Sequence, residues 1–302
     1  MTRIQLAGVD GSNPLGFLAA LGILRVIRCA RLGFSDDGSY QAFVEGRCQD
    51  DLVRLVTADA VAAANKSAPW RFTYTKAATK KQGPKEVADL KPPPDEFKRF
   101  LATSIDAWLN GDDEAAAYAA AYATDVAVDG NGNTKPTAFH FTAAQQTFLG
   151  AVEEIRASVT QEWVKESLFN GYSERQGSNL RWEPGSERNW ALMEGDPSKD
   201  KTRVNAPLEW LAFRGLSLLP SFPRGSRILT SGVFGRGDDM RFVWPLWFTP
   251  ASAQTIRSTL QVNWTGLSIK ERRACSVFAI CRSTIRRTSQ GFGNFSPPEI
   301  LC

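Results

Sequence analysis

The chain of 302 residues has one histidine, His140, in the aromatic segment FHFT. A single histidine can act as the general base of a metal-independent ribonuclease, because its ordinary pKa lies near neutral pH. The alternative is a structural histidine that hydrogen-bonds and packs between Phe139 and Phe141, and we favour it. A serine or cysteine triad would need the same histidine, so the sequence offers no second catalytic base of that kind.

Two tight acidic clusters are Asp238-Asp239 and Asp112-Asp113-Glu114. Metal-dependent nucleases need clustered carboxylates. The first cluster falls in a predicted turn and the second at a predicted helix start, where acidic residues favour the helix dipole. The chain also lacks the GxxxxGK[ST] phosphate loop. We therefore expect no metal site, no cofactor and no catalytic residue, and we expect that the protein is not an enzyme.

Positive charge is concentrated near the C-terminal end, where positions 270–287 hold six cationic residues and one acidic residue. The cationic residues are Lys270, Arg272, Arg273, Arg282, Arg286 and Arg287. Arginines beside Phe292 and Phe295 suit a phosphate backbone and stacked bases. A solvated edge strand that is protected by charge has the same pattern. We interpret the segment as a nucleic-acid contact, and strand alternation predicts one outward row that contains Arg282, Thr284 and Arg286.

Two amides near this segment, Gln290 and Asn294, suit hydrogen bonds to a base edge, although Asn294 equally suits a turn. Arginine outnumbers lysine in the C-terminal half, and it suits bidentate contacts with phosphate or guanine better than lysine does. The additional arginines of this half include Arg224, Arg227, Arg236 and Arg241.

A lysine-rich segment, 76–94, is predicted to be a loop that ends in three prolines. Lys80, Lys81 and Lys85 in this loop form either part of a solvated linker or a flexible finger at duplex DNA. We include these three lysines among the candidate nucleic-acid contacts.

The elements that position these residues begin with a predicted strand at Ile4–Val9, a polar turn and a long apolar helix with Pro14 at its first position. Ser12 or Asn13 can cap this helix. A helix N-terminus is a natural seat for a phosphate, but the turn lacks the lysine and the glycines of a nucleotide loop. We interpret it as the cap of a core helix. Three arginines are predicted to form a stripe along this helix: Arg25, Arg28 and Arg31.

Strands and helices follow one another without a strict strand–helix–strand rhythm, so the predicted fold class is α+β, with mixed sheets and several packed helices. The predicted elements include strands at Trp70–Thr75 and Ser276–Arg287 and a helix at Pro94–Leu109. A second helix is predicted to be capped by Thr142 and to run to about Ser158. Strands at Arg227–Phe234 and Met240–Phe248 are predicted to be joined as a hairpin. The polar segment 171–203 is predicted to be an irregular linker or loop. It separates an N-terminal α+β domain, 1–170, from a C-terminal α+β region, 204–302.

Composition narrows the class of protein. Hydrophobic residues make up 43% of the chain, which is ample for a core, and the formal charge of +4 is mild. No run of about eighteen apolar residues occurs, so we expect no transmembrane helix, no membrane contact and no signal peptide. Five cysteines without a CxxC pair indicate neither a disulfide framework nor a zinc site. We expect a cytoplasmic protein with reduced thiols.

The segments NPLGFLAALGILRVI, FHFTAAQQTFLGAVEEI and IRRTSQGFGNFSP are similar to parts of CRISPR-associated large-subunit-type proteins of type I systems, particularly the I-U group, also called I-G. The resemblance implies a non-catalytic subunit of an RNA-guided surveillance complex in antiviral defence. Such a subunit contacts the 5′ end of the guide RNA, reads a short motif in duplex target DNA and helps to open the DNA, while base pairing reads the sequence. Its implied partners are guide RNA, target DNA and other CRISPR effector subunits, with a helicase–nuclease acting in trans.

Two alternatives remain beside this interpretation. The first is a metal-independent endoribonuclease that processes guide RNA with His140 as its base. The second is a scaffold that binds protein partners through the nine tryptophans and the polar middle segment.

Overall fold

The structure is a computed structural model in which the described residues are 3–76, 83–142, 146–171, 173–184, 203–288 and 291–301. The α-helices in these ranges, α1 to α9 in chain order, are Pro14–Val26, Gln49–Ala62, Pro94–Leu109, Asp113–Tyr122, Phe148–Ser158, Gln161–Phe169, Ala206–Leu216, Ala253–Thr259 and Ile269–Ala274. The strands, β1 to β16, are Arg3–Asp10, Arg31–Phe34, Gln41–Glu45, Tyr74–Lys76, Lys85–Val87, Ala123–Val128, Thr134–Pro136, Arg175–Gln176, Arg203–Val204, Ser221–Arg224, Arg227–Thr230, Val233–Phe234, Arg241–Trp247, Val277–Arg287, Gly293–Phe295 and Glu299–Leu301. None of the helices in these ranges has the length and apolar character needed to span a bilayer.

The fold is α+β, as predicted, with helices packed among small antiparallel sheets. The largest sheet has the order β12–β13–β14–β15, and β16 also pairs with β14. A second sheet near the start of the chain has the order β1–β3–β2. The other strands form two-stranded pairs, among them the hairpin of β10 and β11.

The predicted strand, turn and capped helix at the start of the chain are confirmed. The Asn13 side chain accepts hydrogen bonds from the backbone N–H groups of Leu15, at 2.8 Å, and Gly16, at 3.4 Å, and Pro14 occupies the first helical position. Ser12 instead donates its hydroxyl to Asp10 at 2.7 Å. The turn is therefore held by its own side chains and caps a helix that is buried from Pro14 to Leu24.

Helix α1 crosses helix α7 at two glycines. A Cβ atom on Gly22 would lie 1.8 Å from the carbonyl oxygen of Leu211, and one on Gly215 would lie 2.2 Å from that of Leu18. Only glycine permits this approach, because any side chain would push the two backbones apart. The contact joins the N-terminal and C-terminal parts of the chain in one hydrophobic core.

Four element predictions differ from the structure in their bounds, and the first two lie in the N-terminal part of the chain. Helix α1 ends at Val26, and Arg31 belongs to β2, so no single helix carries the predicted stripe of three arginines. The chain turns between them through Cys29, which has a φ of +66°. The predicted strand at Trp70–Thr75 is only Tyr74–Lys76, and it pairs with β5 inside the segment predicted as a loop.

The helix predicted after Thr142 begins at Phe148, with Thr147 as the residue before its first turn. Residues 143–145 lie outside the described ranges.

The predicted strand at Arg227–Phe234 is divided into β11 and β12. Gly232, with a φ of +75°, lies at the division. β11 pairs with β10, whereas β12 pairs with β13. The division places the β10–β11 hairpin beside the edge of the large sheet, and a groove forms between them.

Candidate nucleic-acid interface

Strand β14 positions the predicted basic row. Its buried side chains alternate with less buried ones along most of its length, as predicted. Arg282, Thr284 and Arg286 share the outward face, and the register places Arg241 of β13 directly opposite Thr284. Arg241 is exposed and forms no salt bridge with any residue that the structure describes.

The predicted contact residues of β14 differ in their partners. Arg282 contacts Glu299 of β16, with 2.5 Å between Nη2 and Oε2, so its charge is largely neutralised. Arg287 donates to the backbone carbonyls of His140 and Ala138, each at 3.1 Å. Burial lowers the pKa of Arg287 below its ordinary value. Arg286 is exposed on the outward face.

The other predicted contact residues are dispersed. Arg272 donates Nε–H to the carbonyl of Leu267 at 2.9 Å, and Arg273 is exposed near the end of the short helix α9. Asn294 is buried opposite Arg286, and Lys85 is exposed on β5. Gln290, Lys80 and Lys81 lie outside the described residues.

The two phenylalanines predicted as stacking partners also differ. Phe295 is 0% exposed and packs against Phe139 and Phe141, so its prediction as an exposed stacking ring is wrong. Phe292 is half-buried, and the guanidinium of Arg181 lies 4.4 Å from its ring centroid.

A basic and aromatic surface does form nearby, in the groove between the β10–β11 hairpin and β12. This arginine groove has a volume of about 390 Å³. Its lining includes three arginines and two phenylalanines: Phe222, Arg224, Arg227, Phe234 and Arg236. Arg224 and Arg227 lie directly opposite one another in the hairpin. Phe222 and Phe234 are 48% and 41% exposed, so the groove offers aromatic surface to a ligand.

The arginine groove has no acidic residue in its described lining to balance its positive charge. Within the described part of the chain, no salt bridge involves Arg224, Arg227 or Arg236. Like charges that face each other across a strand pair destabilise it, so an anionic ligand would relieve a repulsion built into the hairpin.

His140 is buried away from this groove surface, at 2% exposure, and its ring stacks on Phe148 with 5.4 Å between centroids. Its Nε2 lies 2.9 Å from a carboxylate oxygen of Asp89, which also accepts the backbone N–H of Phe148 at 3.1 Å. Burial lowers the pKa of His140, although the hydrogen bond to Asp89 opposes the shift. Asp89 thus links the loop before α3 to the start of α5. His140 is hydrogen-bonded and packed, as the structural interpretation predicts.

The pKa of Asp89 is shifted as well, by burial and by its hydrogen bonds. Burial raises the pKa of this carboxyl, but the hydrogen bonds from His140 and Phe148 outweigh burial and hold the pKa below its ordinary value. A neutral imidazole therefore donates to a charged carboxylate near pH 7.

The acidic clusters have structural positions. Asp112 accepts the backbone N–H groups of Glu114 and Ala115 and so caps α4. Asp238 and Asp239 lie in a 3₁₀ turn, Gly237–Asp239, between β12 and β13. Among the described residues, no three His, Cys, Asp or Glu side chains are grouped so that they could hold a metal ion.

A buried ionic cluster was not predicted. Arg214 of α7 donates to the Tyr118 hydroxyl at 2.7 Å and to Asp59 at 2.9 Å, and it also contacts Glu114. Burial raises the pKa of Asp59 despite the attraction of Arg214. The cluster links helices α2, α4 and α7, which are far apart in the sequence.

Phe222 and Phe234 are the groove residues that sequence reasoning missed. The arginines at 224, 227 and 236 were counted only as general basicity, because nothing local to the sequence shows that β11 and β12 have different partners. No protein-family model, curated protein sequence or solved structure matches the chain.

Proposed function

We propose that the protein is a non-enzymatic nucleic-acid-binding subunit and that the arginine groove holds a single strand. One observation carries this proposal: three arginines without a described carboxylate partner line the same groove as two exposed phenylalanine rings. Arginine guanidinium groups bind the phosphate backbone, and bases stack on aromatic side chains irrespective of sequence. A narrow groove with both features suits RNA or DNA whose bases are unpaired.

We further propose that this strand belongs to an RNA-guided complex of the CRISPR type I class, with guide RNA, target DNA and other effector subunits as partners and a helicase–nuclease acting in trans. The similarity of three segments to the large-subunit-type family supports this role in antiviral defence. Guide RNA and opened target DNA both present single strands. The free thiols of Cys29, Cys48 and Cys275 are exposed, which supports a reducing, cytoplasmic location.

The two alternatives receive less support. A base for RNA cleavage must reach its substrate. His140 lines a pocket beside the groove, but it is only 2% exposed and its Nε2 is already bonded to Asp89. A scaffold that binds through tryptophan needs exposed rings, yet seven of the nine tryptophans are buried. Trp108 is exposed, and Trp190 lies outside the described residues.

The test compares two triple variants. The groove variant carries Arg224→Ala, Arg227→Ala and Arg236→Ala. The paired-arginine variant is its control and carries Arg54→Ala, Arg99→Ala and Arg175→Ala, three exposed arginines that each have a carboxylate partner.

Affinity for a labelled single-stranded RNA is measured by fluorescence anisotropy, and thermal unfolding confirms that each variant folds. We expect the groove variant to bind about tenfold or more weakly, because three phosphate contacts are lost, and the control to bind as the wild type does. Equal binding by the wild type and the groove variant contradicts the proposal. Purification of the tagged protein with its genetic neighbours should also recover guide RNA and other subunits, and recovery of the protein alone contradicts the role in a complex.

A further inference from the structure

A second pocket lies next to the arginine groove and shares four lining residues with it, Leu229, Thr230, Val233 and Gly235. We call it the lysine pocket. Its volume is about 290 Å³, close to the lower end of the range of about 300–1,000 Å³ that is usual for small-ligand sites. The shared residues make the groove and the pocket neighbours on one surface, so a strand in the groove can reach the pocket.

Three cationic side chains line the lysine pocket: Lys91, Lys135 and Arg287. No described residue of its lining is acidic, and no salt bridge in the described part of the chain involves any of the three. An anion would therefore enter a field that the pocket itself does not neutralise. Asp89, which is bonded to His140 of this lining, stays a charged carboxylate, so the three cations face one neighbouring negative charge.

Two of these cations are held in place by the backbone. Lys135 donates Nζ–H to the carbonyl of Ser226 at 2.8 Å, and Arg287 donates to the carbonyls of His140 and Ala138. Carbonyl acceptors fix the position of a cation without cancelling its charge. Part of the entropic cost of ordering these long side chains around a ligand is thus met before binding.

Apart from His140, Thr230 and Gly235, the remaining wall of the lysine pocket is aliphatic. It includes Ile228, Leu229, Val233 and Met240. A pocket lined by both cations and aliphatic side chains matches a ligand that has an anionic group attached to a flat, weakly polar body. A nucleoside phosphate has this chemistry, whereas inorganic phosphate would leave the aliphatic wall unused.

We propose that the lysine pocket binds one nucleoside monophosphate group, with the phosphate at Lys91, Lys135 and Arg287 and the nucleoside against the aliphatic wall. The group can come from a free nucleotide or from the phosphorylated end of a strand. The second source rests on the proposed function, because that strand would lie in the arginine groove.

The experiment uses four probes: adenosine monophosphate, and one short RNA strand with a 5′-phosphate, with a 3′-phosphate or with neither. The pocket variant is Lys91→Ala with Lys135→Ala, and Lys91→Gln alone serves as a milder variant that keeps the bond from Lys135 to Ser226. Lys66→Ala with Lys98→Ala is the control, since both lysines are exposed and neither lines the pocket. Calorimetry measures the mononucleotide, and anisotropy measures the strands.

We expect the wild type to prefer one phosphorylated end by about tenfold, as for one charge-assisted hydrogen bond. This preference should disappear in both pocket variants and persist in the control. The groove variant should bind all strands more weakly yet keep the preference. If adenosine monophosphate binds to the wild type but not to the pocket variants, this result supports the pocket and indicates a free nucleotide as its ligand.

Equal affinity for all three strands, together with no binding of the mononucleotide, overturns the pocket and leaves the groove intact. Mononucleotide binding that the pocket variants retain also overturns it. Conversely, the proposed function is overturned if the groove variant binds unphosphorylated RNA as tightly as the wild type does. In that case, binding of the mononucleotide that is lost on replacement of Lys91 would still support the pocket.

Discussion

Replacing Arg224, Arg227 and Arg236 together by alanine removes the three cationic groups of the arginine groove. Each phosphate that a protein neutralises on a single strand releases condensed counterions and contributes about −0.7 to the slope of log affinity against log salt concentration. If each arginine contacts one phosphate, the slope of the variant should be shallower by about 2. Between about 50 and 200 mM salt, the wild type should then lose about 20-fold more affinity than the variant does.

The expected decrease of about 2 in the salt slope requires that the three arginines are not engaged in ion pairs before the strand binds. These arginines have no salt bridge with any described residue, so binding a phosphate does not first require breaking an ion pair. The three arginines that the paired-arginine variant removes already face Asp51, Glu96 and Glu166 in the wild type. Their removal should leave the slope unchanged within the error of the fit.

The assay is fluorescence anisotropy of a labelled RNA strand, repeated over this salt range for the wild type and both triple variants. A slope that is the same in the wild type and the groove variant refutes the reasoning. A slope that falls equally in both variants would mean that overall surface charge, rather than the groove, attracts the strand.

Three further outcomes are expected. Phe222→Ala and Phe234→Ala should each weaken RNA binding by about 1–3 kcal/mol at fixed salt through lost base stacking and leave the salt slope unchanged. Phe248→Ala, which removes an exposed ring outside the groove, should change neither the affinity nor the slope. Asp59→Asn should lower the free energy of unfolding in urea by about 3 kcal/mol, because Arg214 then keeps its buried charge with one carboxylate fewer. Asp51→Asn, at a half-buried carboxylate near the protein surface, should change it by less than about 1 kcal/mol. As pH falls below about 6.5, the unfolded chain takes up a proton at His140 before the folded protein does, because burial lowers the pKa in the folded state. Stability should therefore decline by up to about 1.4 kcal/mol per pH unit in that window, and a urea series in which His140→Gln shows the same decline contradicts this assignment.

The sequence by itself determined the elements whose signals are local. Asn13 and Pro14 start helix α1 because a side-chain cap and a fixed proline φ act within one turn. The helix predicted at Pro94–Leu109 has those bounds, and the alternation along β14 separates buried from outward side chains between Cys281 and Arg286, although Ile280 of the predicted outward face is buried. Each of these features depends on neighbours a few residues away.

Only the tertiary structure decided which residues share a surface. Phe222 and Phe234 meet in one groove because β11 pairs with β10 while β12 pairs with β13, and Gly232 allows the chain to turn between them. Arg282, in contrast, is outward as predicted but faces Glu299 of a strand seventeen residues away. Strand partners and ion pairs of this kind are set by packing free energy across the whole core, which no local pattern of the sequence contains. The candidate site therefore depends on strand pairing, although the arginines that supply its charge are plain in the sequence.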